Sequence, residues 1–281
     1  MQGGPSVLGS VPSGPPWRGF PERLICSGRL RSERGDMTEL REGRTIRAVV
    51  FDLDNTLTDF MKAKRGAIRA AADAMIDAGL VMDPQLVYDR IFAIYDEVGI
   101  EHQRVFNRFL TEATGRVDDH VLAPAVVAYR RAREASLVPY PHVQRVVYRL
   151  VKDGYKLAVV SDAPRFEAWL RLCYLGLQHV FDVVLTHDDT GARKPDPVPF
   201  RMALERLGVA PGQAVMVGDW PERDIVGGLV AGLHTVYARY GDTYGSPDRP
   251  RTTDSGAHFV IDDLLQLLDV LERLERPAGE A

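Results

Sequence analysis

The chain is poor in cysteine, with only Cys26 and Cys173 among 281 residues. Two thiols build no disulfide framework, so the expected setting is a reducing cytoplasm, with Cys173 packed in an apolar helical stretch. No window holds the eighteen or so uninterrupted apolar residues a membrane-spanning helix requires, so no membrane partner is expected. A formal net charge of -4 gives no broad basic field, which argues against nucleic acid as a partner. The seven histidines show no ligand spacing and no G-x-S-x-G occurs, which disfavours zinc and serine-nucleophile hydrolases.

What is present is ordinary globular usage, with 45% hydrophobic and 26% charged residues, enough to bury a sizeable core. The first 44 residues differ from the rest. MQGGPSVLGSVPSGPPWRGFP is rich in Gly, Pro and Ser without periodicity, so residues 1–44 are expected to be a disordered extension, with Met37 a candidate alternative start. Residues 277–281 are expected to be a flexible C-terminus.

From Thr45 short apolar strands alternate with helices. That pattern predicts an α/β fold, a Rossmann-like parallel sheet with helices on both faces. Strands are expected at Ile46–Phe51, Lys156–Val160, Val183–Leu185, Ala214–Val217, His234–Val236 and His258–Ile261, and helices at Arg165–Leu175, Pro197–Leu207, Glu222–Ala231 and Asp262–Leu274. Between Thr58 and Pro139 no strand interrupts amphipathic segments at Phe60–Ala78, Pro84–Val98, His102–Glu112 and Asp118–Leu137. Residues 59–138 therefore read as an inserted α-helical cap domain, leaving 45–58 and 139–276 as the core. An insertion just beyond the first strand would cover whatever site that strand builds.

Four polar positions follow apolar strands. In VVFDLDNTLTD, Asp52 and Asp54 project into the crevice where open α/β sheets bind ligands, and paired carboxylates there call for a divalent cation such as Mg²⁺. In KLAVVSDAP, Ser161 is either an anion ligand at a helix start or an ordinary helix cap. In THDDTGARKPDP, Lys194 precedes two prolines in the stretch KPDP, as a point charge for phosphate or a solvated lysine. In AVMVGDWPERD, Asp219 reads as a metal ligand or turn residue, and Asp224 as a helix cap or a supporting contact to the ion. Their common order, each at a strand's end, predicts that one crevice collects them all.

With FDLDNT, VVSD, RKPDP and VGDWPERD in that order, the chain resembles the haloacid-dehalogenase-like (HAD) hydrolase superfamily over residues 45 to about 275. The helical insertion between the first two motifs is similar to the C1-capped branch. FDLDNTLTDFMKAKRGAI, VVAYRRAREA and VYARYGD are similar to a group of glyceraldehyde-3-phosphate or general sugar-phosphate phosphatases. The resemblance implies that Asp52 is a nucleophile forming an aspartyl-phosphate, and that Asp54 is the acid and base. It further implies Mg²⁺ held by Asp52, the Asp54 carbonyl and Asp219 with Asp224 in support, while Ser161 and Lys194 hold phosphoryl oxygens. The implied partner is a small-molecule phosphate ester, and the chain is expected as a monomer or homodimer.

Dehalogenases lack the second acid, so Asp54 favours phosphate chemistry. A phosphomutase, or a non-catalytic phosphoryl-binding regulator, is the alternative. Two features depart from the family pattern: SDAP after the second strand, and Trp220, which either walls off a substrate or packs against a neighbouring loop. Lys62, Lys64, Arg65, His102, Arg104 and Arg130 are candidates to meet the substrate's other end.

Overall fold

The computed structural model describes residues 45–242 and 255–276. The expected disordered extension with Cys26 and Met37, and the expected flexible C-terminus, lie outside the described residues.

Six strands form one sheet: β1 (Ala48–Phe51), β2 (Lys156–Ser161), β3 (Val183–Thr186), β4 (Ala214–Gly218), β5 (His234–Ala238) and β6 (Phe259–Ile261). Their order is β3-β2-β1-β4-β5-β6, and every pairing is parallel. β1 therefore lies between β2 and β4, where the strand order reverses and a crevice opens at the carboxyl ends. Register sets Phe51 opposite Val159 and Val217, so the segments after these strands emerge at one level.

All four β1 residues are buried because helices cover both faces. Val49 and Phe51 point into one apolar cluster, with Val147 and Leu150 of helix α5 (Val143–Lys152) and Leu172 of α6 (Arg165–Tyr174). Ala48 and Val50 point into the other, with Phe200, Ala203 and Leu207 of α8 (Val198–Leu207); a single turn of helix, α7 (His187–Thr190), follows β3.

Between β1 and β2 lie α1 (Phe60–Asp77), α2 (Pro84–Val98), α3 (Val105–Thr114) and α4 (Asp119–Ser136), which enclose their own cluster around Ile68, Met75, Ile91 and Phe109. Aspartates start three of them: Asp59, Asp83 and Asp118 accept the amides of Lys62, Leu86 and His120 at 2.9, 3.0 and 3.0 Å, each cap stabilising by about 1 kcal/mol. The two chain crossings to this unit are tied together, since Thr58 Oγ1 donates to the Val138 carbonyl at 2.7 Å.

The expectations differ from the structure at a few points. Helix α5 escaped the sequence reading. The expected helix Glu222–Ala231 is a wide π-type turn, Pro221–Ile225, running into a short α9 (Val226–Val230), because the Asp224 side chain turns back onto the Trp220 amide at 3.0 Å. The last helix, α10, begins at Gln266, not Asp262: Asp263 accepts the Leu265 amide at 2.7 Å and Gln266 Oε1 accepts the Asp262 amide at 2.7 Å. Residues 102–104 form a turn before α3, with the His102 amide donating to Gly99 at 3.1 Å. Cys173 is exposed and not packed, because α6 buries the face carrying Ala168, Leu172 and Leu175.

Candidate active site

Asp52 continues β1, its amide donating to the Val217 carbonyl at 2.9 Å, so its carboxylate stands at the reversal point. The chain then turns sharply. Asn55 adopts φ 63°, a left-handed conformation that asparagine tolerates, and its Oδ1 accepts the Met61 amide at 3.1 Å. Beyond it opens a cavity of about 490 Å³ between the sheet and the α1–α4 helices. Asp52, Asp54, Ser161, Lys194, Asp219 and Asp224 all line this cavity.

Lys194 is buried, not solvated. Its Nζ lies 2.6 Å from Asp224 Oδ1 and also pairs with Asp52 Oδ1. Burial alone would lower this ammonium, but the Asp224 and Asp52 carboxylates outweigh it and hold the group above the usual lysine range. Asp224 is held from two sides, Oδ2 accepting the Trp220 amide at 3.0 Å while Oδ1 faces the lysine. Burial raises its carboxyl to about 7 against the pull of Lys194. Asp219 takes the Thr56 hydroxyl at 3.2 Å, and burial, then the charges of Asp52 and Asp224, hold it well above the carboxylate range.

Two glycines allow this crowding. A Cβ on Gly218 would lie 2.4 Å from the Asp224 carboxyl, and one on Gly241 would lie 1.7 Å from the Asn55 carbonyl oxygen. Ser161 is buried, and its Oγ accepts the Ala163 amide at 3.2 Å, a local cap facing the cavity. Asp162 braces the lysine loop, its Oδ1 accepting the Lys194 amide at 3.0 Å. Trp220 lines the cavity with the Arg223 guanidinium stacked 3.8 Å from its ring centroid.

Asp54 stands apart from the lysine. Burial raises its carboxyl to about 7, opposed by Arg171 and reinforced by Asp52 and Glu101. Arg171 and Glu101 were missed from sequence. Arg171 carried a signal, an arginine within the apolar stripe of α6, whereas Glu101 sits in a turn without one. Of the cap candidates only His102 lines the cavity. Lys64 is buried, donating to the Ile100 carbonyl at 2.7 Å; Lys62 and Arg65 line a separate shallow groove, and Arg104 and Arg130 are exposed.

The donor set suits a divalent cation. Asp52, Asp219 and Asp224 each offer an oxygen within 4.8 Å of the others, and all three are buried. Ionised together beside one ammonium, the three carboxyls would carry an excess of negative charge in low dielectric that Mg²⁺, which prefers hard oxygen ligands, would balance.

Among the described residues no helix is long and apolar enough to cross a membrane. The glyceraldehyde 3-phosphate phosphatase of Methanopyrus kandleri is 37% identical over 233 residues, covering 82% of this chain and 99% of its own. That of Methanothermobacter thermautotrophicus is 33% identical over 227 residues, covering 80% and 100%. The crystal structure of a HAD phosphatase from Thermococcus onnurineus superposes with a TM-score of 0.58 at 26% identity, covering 80% of this chain and 98% of that one. A family model for haloacid dehalogenase-like hydrolases matches residues 46–232, from the first strand through helices α1–α4 to the turn before β5, and the chain belongs to that family.

Proposed function

We propose that this protein is a Mg²⁺-dependent phosphomonoesterase of small phosphorylated metabolites, with glyceraldehyde 3-phosphate or a related sugar phosphate as the substrate class. One observation carries the reading: buried Asp52 lies against the Lys194 ammonium at the sheet's reversal point, with Asp219 and Asp224 beside it. The names of the two relatives support the substrate class.

In this reading an Asp52 oxygen attacks phosphorus and the bond from phosphorus to the ester oxygen breaks. Asp54 hands its proton to the departing alkoxide. Water then attacks the aspartyl-phosphate, Asp54 takes a proton from it, and phosphate leaves with Asp52 restored. A carboxyl near 7 suits Asp54 to both transfers. Lys194 and Ser161 hold phosphoryl oxygens and keep the ester in line. Mg²⁺, held by Asp52, Asp219 and Asp224 with the Asp54 carbonyl, supplies neutralisation of the phosphoryl charge when bound.

The cap wall supports a substrate with an uncharged far end. Tyr95, Asp96, Ile100, Glu101 and His102 contribute to it, and among the described lining residues from the cap there is no lysine or arginine to meet a second anion.

The test is phosphate release from glyceraldehyde 3-phosphate, phosphoglycolate and phosphoserine, with Mg²⁺ and with EDTA, for wild type and Asp52→Asn. Fastest turnover on the first ester, lost in EDTA and in the variant, is expected. Phosphosugar interconversion without phosphate release would replace the reading by a mutase, and undiminished turnover by Asp52→Asn would refute the covalent route.

A further inference from the structure

Arg171 is 3% exposed on a helix face otherwise given to Ala168, Leu172 and Leu175. A guanidinium buried among aliphatic side chains is costly unless its charge is met. Here it is met from two directions: Nη1 stands 3.0 Å from Asp54 Oδ2, in the turn after β1, and Nη2 bonds Glu101 of the cap. The Asp54 contact is a charge contact rather than an aligned hydrogen bond. The Phe60 ring packs against the guanidinium, its centroid 4.4 Å from Cζ. Asp54 Oδ1 is buried with no hydrogen-bond partner, so no protein group competes for a proton there.

We propose that Arg171 is the positioning residue for Asp54, holding its carboxyl in place through one oxygen, and that Glu101 ties this arrangement to the helical insertion. The inference rests on the reading of Asp54 as proton donor. The Glu101 turn is itself anchored, because Lys64 Nζ donates to the Ile100 carbonyl at 2.7 Å and sits 4.0 Å from the Tyr95 ring centroid. A cap loop displaced from this position would take Glu101 from Arg171 and leave Asp54 as the guanidinium's remaining carboxylate. The acid is therefore aligned with the cap seated.

A bridging role that is only structural and a positioning role differ in their dependence on the leaving group. The alkoxide of glyceraldehyde 3-phosphate needs a proton as it departs, whereas nitrophenolate from p-nitrophenyl phosphate leaves without one. The experiment measures first-turnover release of each leaving group by rapid mixing, using the full chain with Mg²⁺, for wild type, Arg171→Met, Arg171→Lys and Glu101→Gln. Arg171→Met is expected to slow glyceraldehyde release by about 100-fold and nitrophenolate release by less than about fivefold. KM for both esters should stay near wild type, because Arg171 is argued to act through Asp54. Arg171→Lys should recover part of the loss, and Glu101→Gln should show a smaller loss with the same leaving-group dependence.

Equal slowing on both esters, or a change confined to KM, overturns the inference while the phosphatase reading stands. A wild type inactive on both esters overturns the reading and the inference with it. Should Arg171→Met fail to fold by circular dichroism, Glu101→Gln decides: a loss confined to the alkyl ester supports the inference, and an unchanged or uniform rate overturns it.

Discussion

Lys194 and Asp224 meet across 30 residues of chain, with Nζ 2.6 Å from Oδ1, and the same ammonium pairs with Asp52. Both partners are almost fully buried, so the pair is not the weak, solvent-screened kind found on surfaces. The lysine neutralises part of an acidic cluster that the sheet's reversal point brings together.

Replacing Lys194 by Met takes the ammonium from two buried carboxylates, Asp52 and Asp224. Breaking a buried pair from one side costs about 3–5 kcal/mol, so urea denaturation at pH 7 without divalent cation should show a loss of that order. Turnover should be lost too. A variant as stable as wild type would contradict the burial argument.

Asp219→Asn removes one of three oxygens facing the proposed cation while keeping the Thr56 contact available. Mg²⁺ should raise the melting temperature of wild type, by an amount equivalent to about 2.7 kcal/mol at a hundredfold excess over Kd. The variant should show a much smaller rise. Thermal melts across a Mg²⁺ series check this, and equal shifts in both proteins would remove Asp219 from the ligand set.

Gly241→Ala places a methyl 1.7 Å from the Asn55 carbonyl and 2.8 Å from Asp219 Cβ. Backbone must move, at a cost of about 3 kcal/mol or more, and the turn carrying Asp52 and Asp54 moves with it. The expected result is lower stability in urea and a kcat reduced more than tenfold. Gly212→Ala is the control, since nothing lies within 4 Å of its added methyl.

Lys64 supplies a pH prediction. Burial lowers its ammonium from the ordinary 10.5 to about 8, with Glu101 partly restoring it. Folding thus disfavours the proton: the penalty is fully present below pH 8 and fades as pH rises towards 10.5. The stability of wild type relative to Lys64→Met should increase across that window, by about 3 kcal/mol at most. Chemical denaturation of both proteins at pH 7, 9 and 10.5 reads it, and a flat difference would refute the assignment.

Much of the fold was legible because the strands are buried on both faces. VVF and LAVV read as continuous apolar runs, as strands covered by helices on both faces must. The helices of the insertion were legible as amphipathic segments with no strand between them. Helix α5 was missed although Val143, Val146, Val147 and Leu150 keep helical spacing, because its β-branched residues suit strands as well and no side chain caps it at His142. The turn at Pro221–Ile225 was read as plain helix because its width is set by Asp224 folding back on Trp220, a contact no local pattern encodes.

Sequence by itself determined the α/β alternation, the place of the helical insertion and the identities of the acids and lysine that end the strands. These are local properties, fixed by the period of apolar residues and by which side chains follow them. Tertiary structure decided the rest: that Lys194 pairs with Asp52 and Asp224, that Arg171 reaches Asp54 and Glu101, and that Lys64 turns inward onto the Ile100 carbonyl. Each joins segments far apart in the chain through a guanidinium or ammonium whose burial is set by packing, and burial is a property of the assembled molecule.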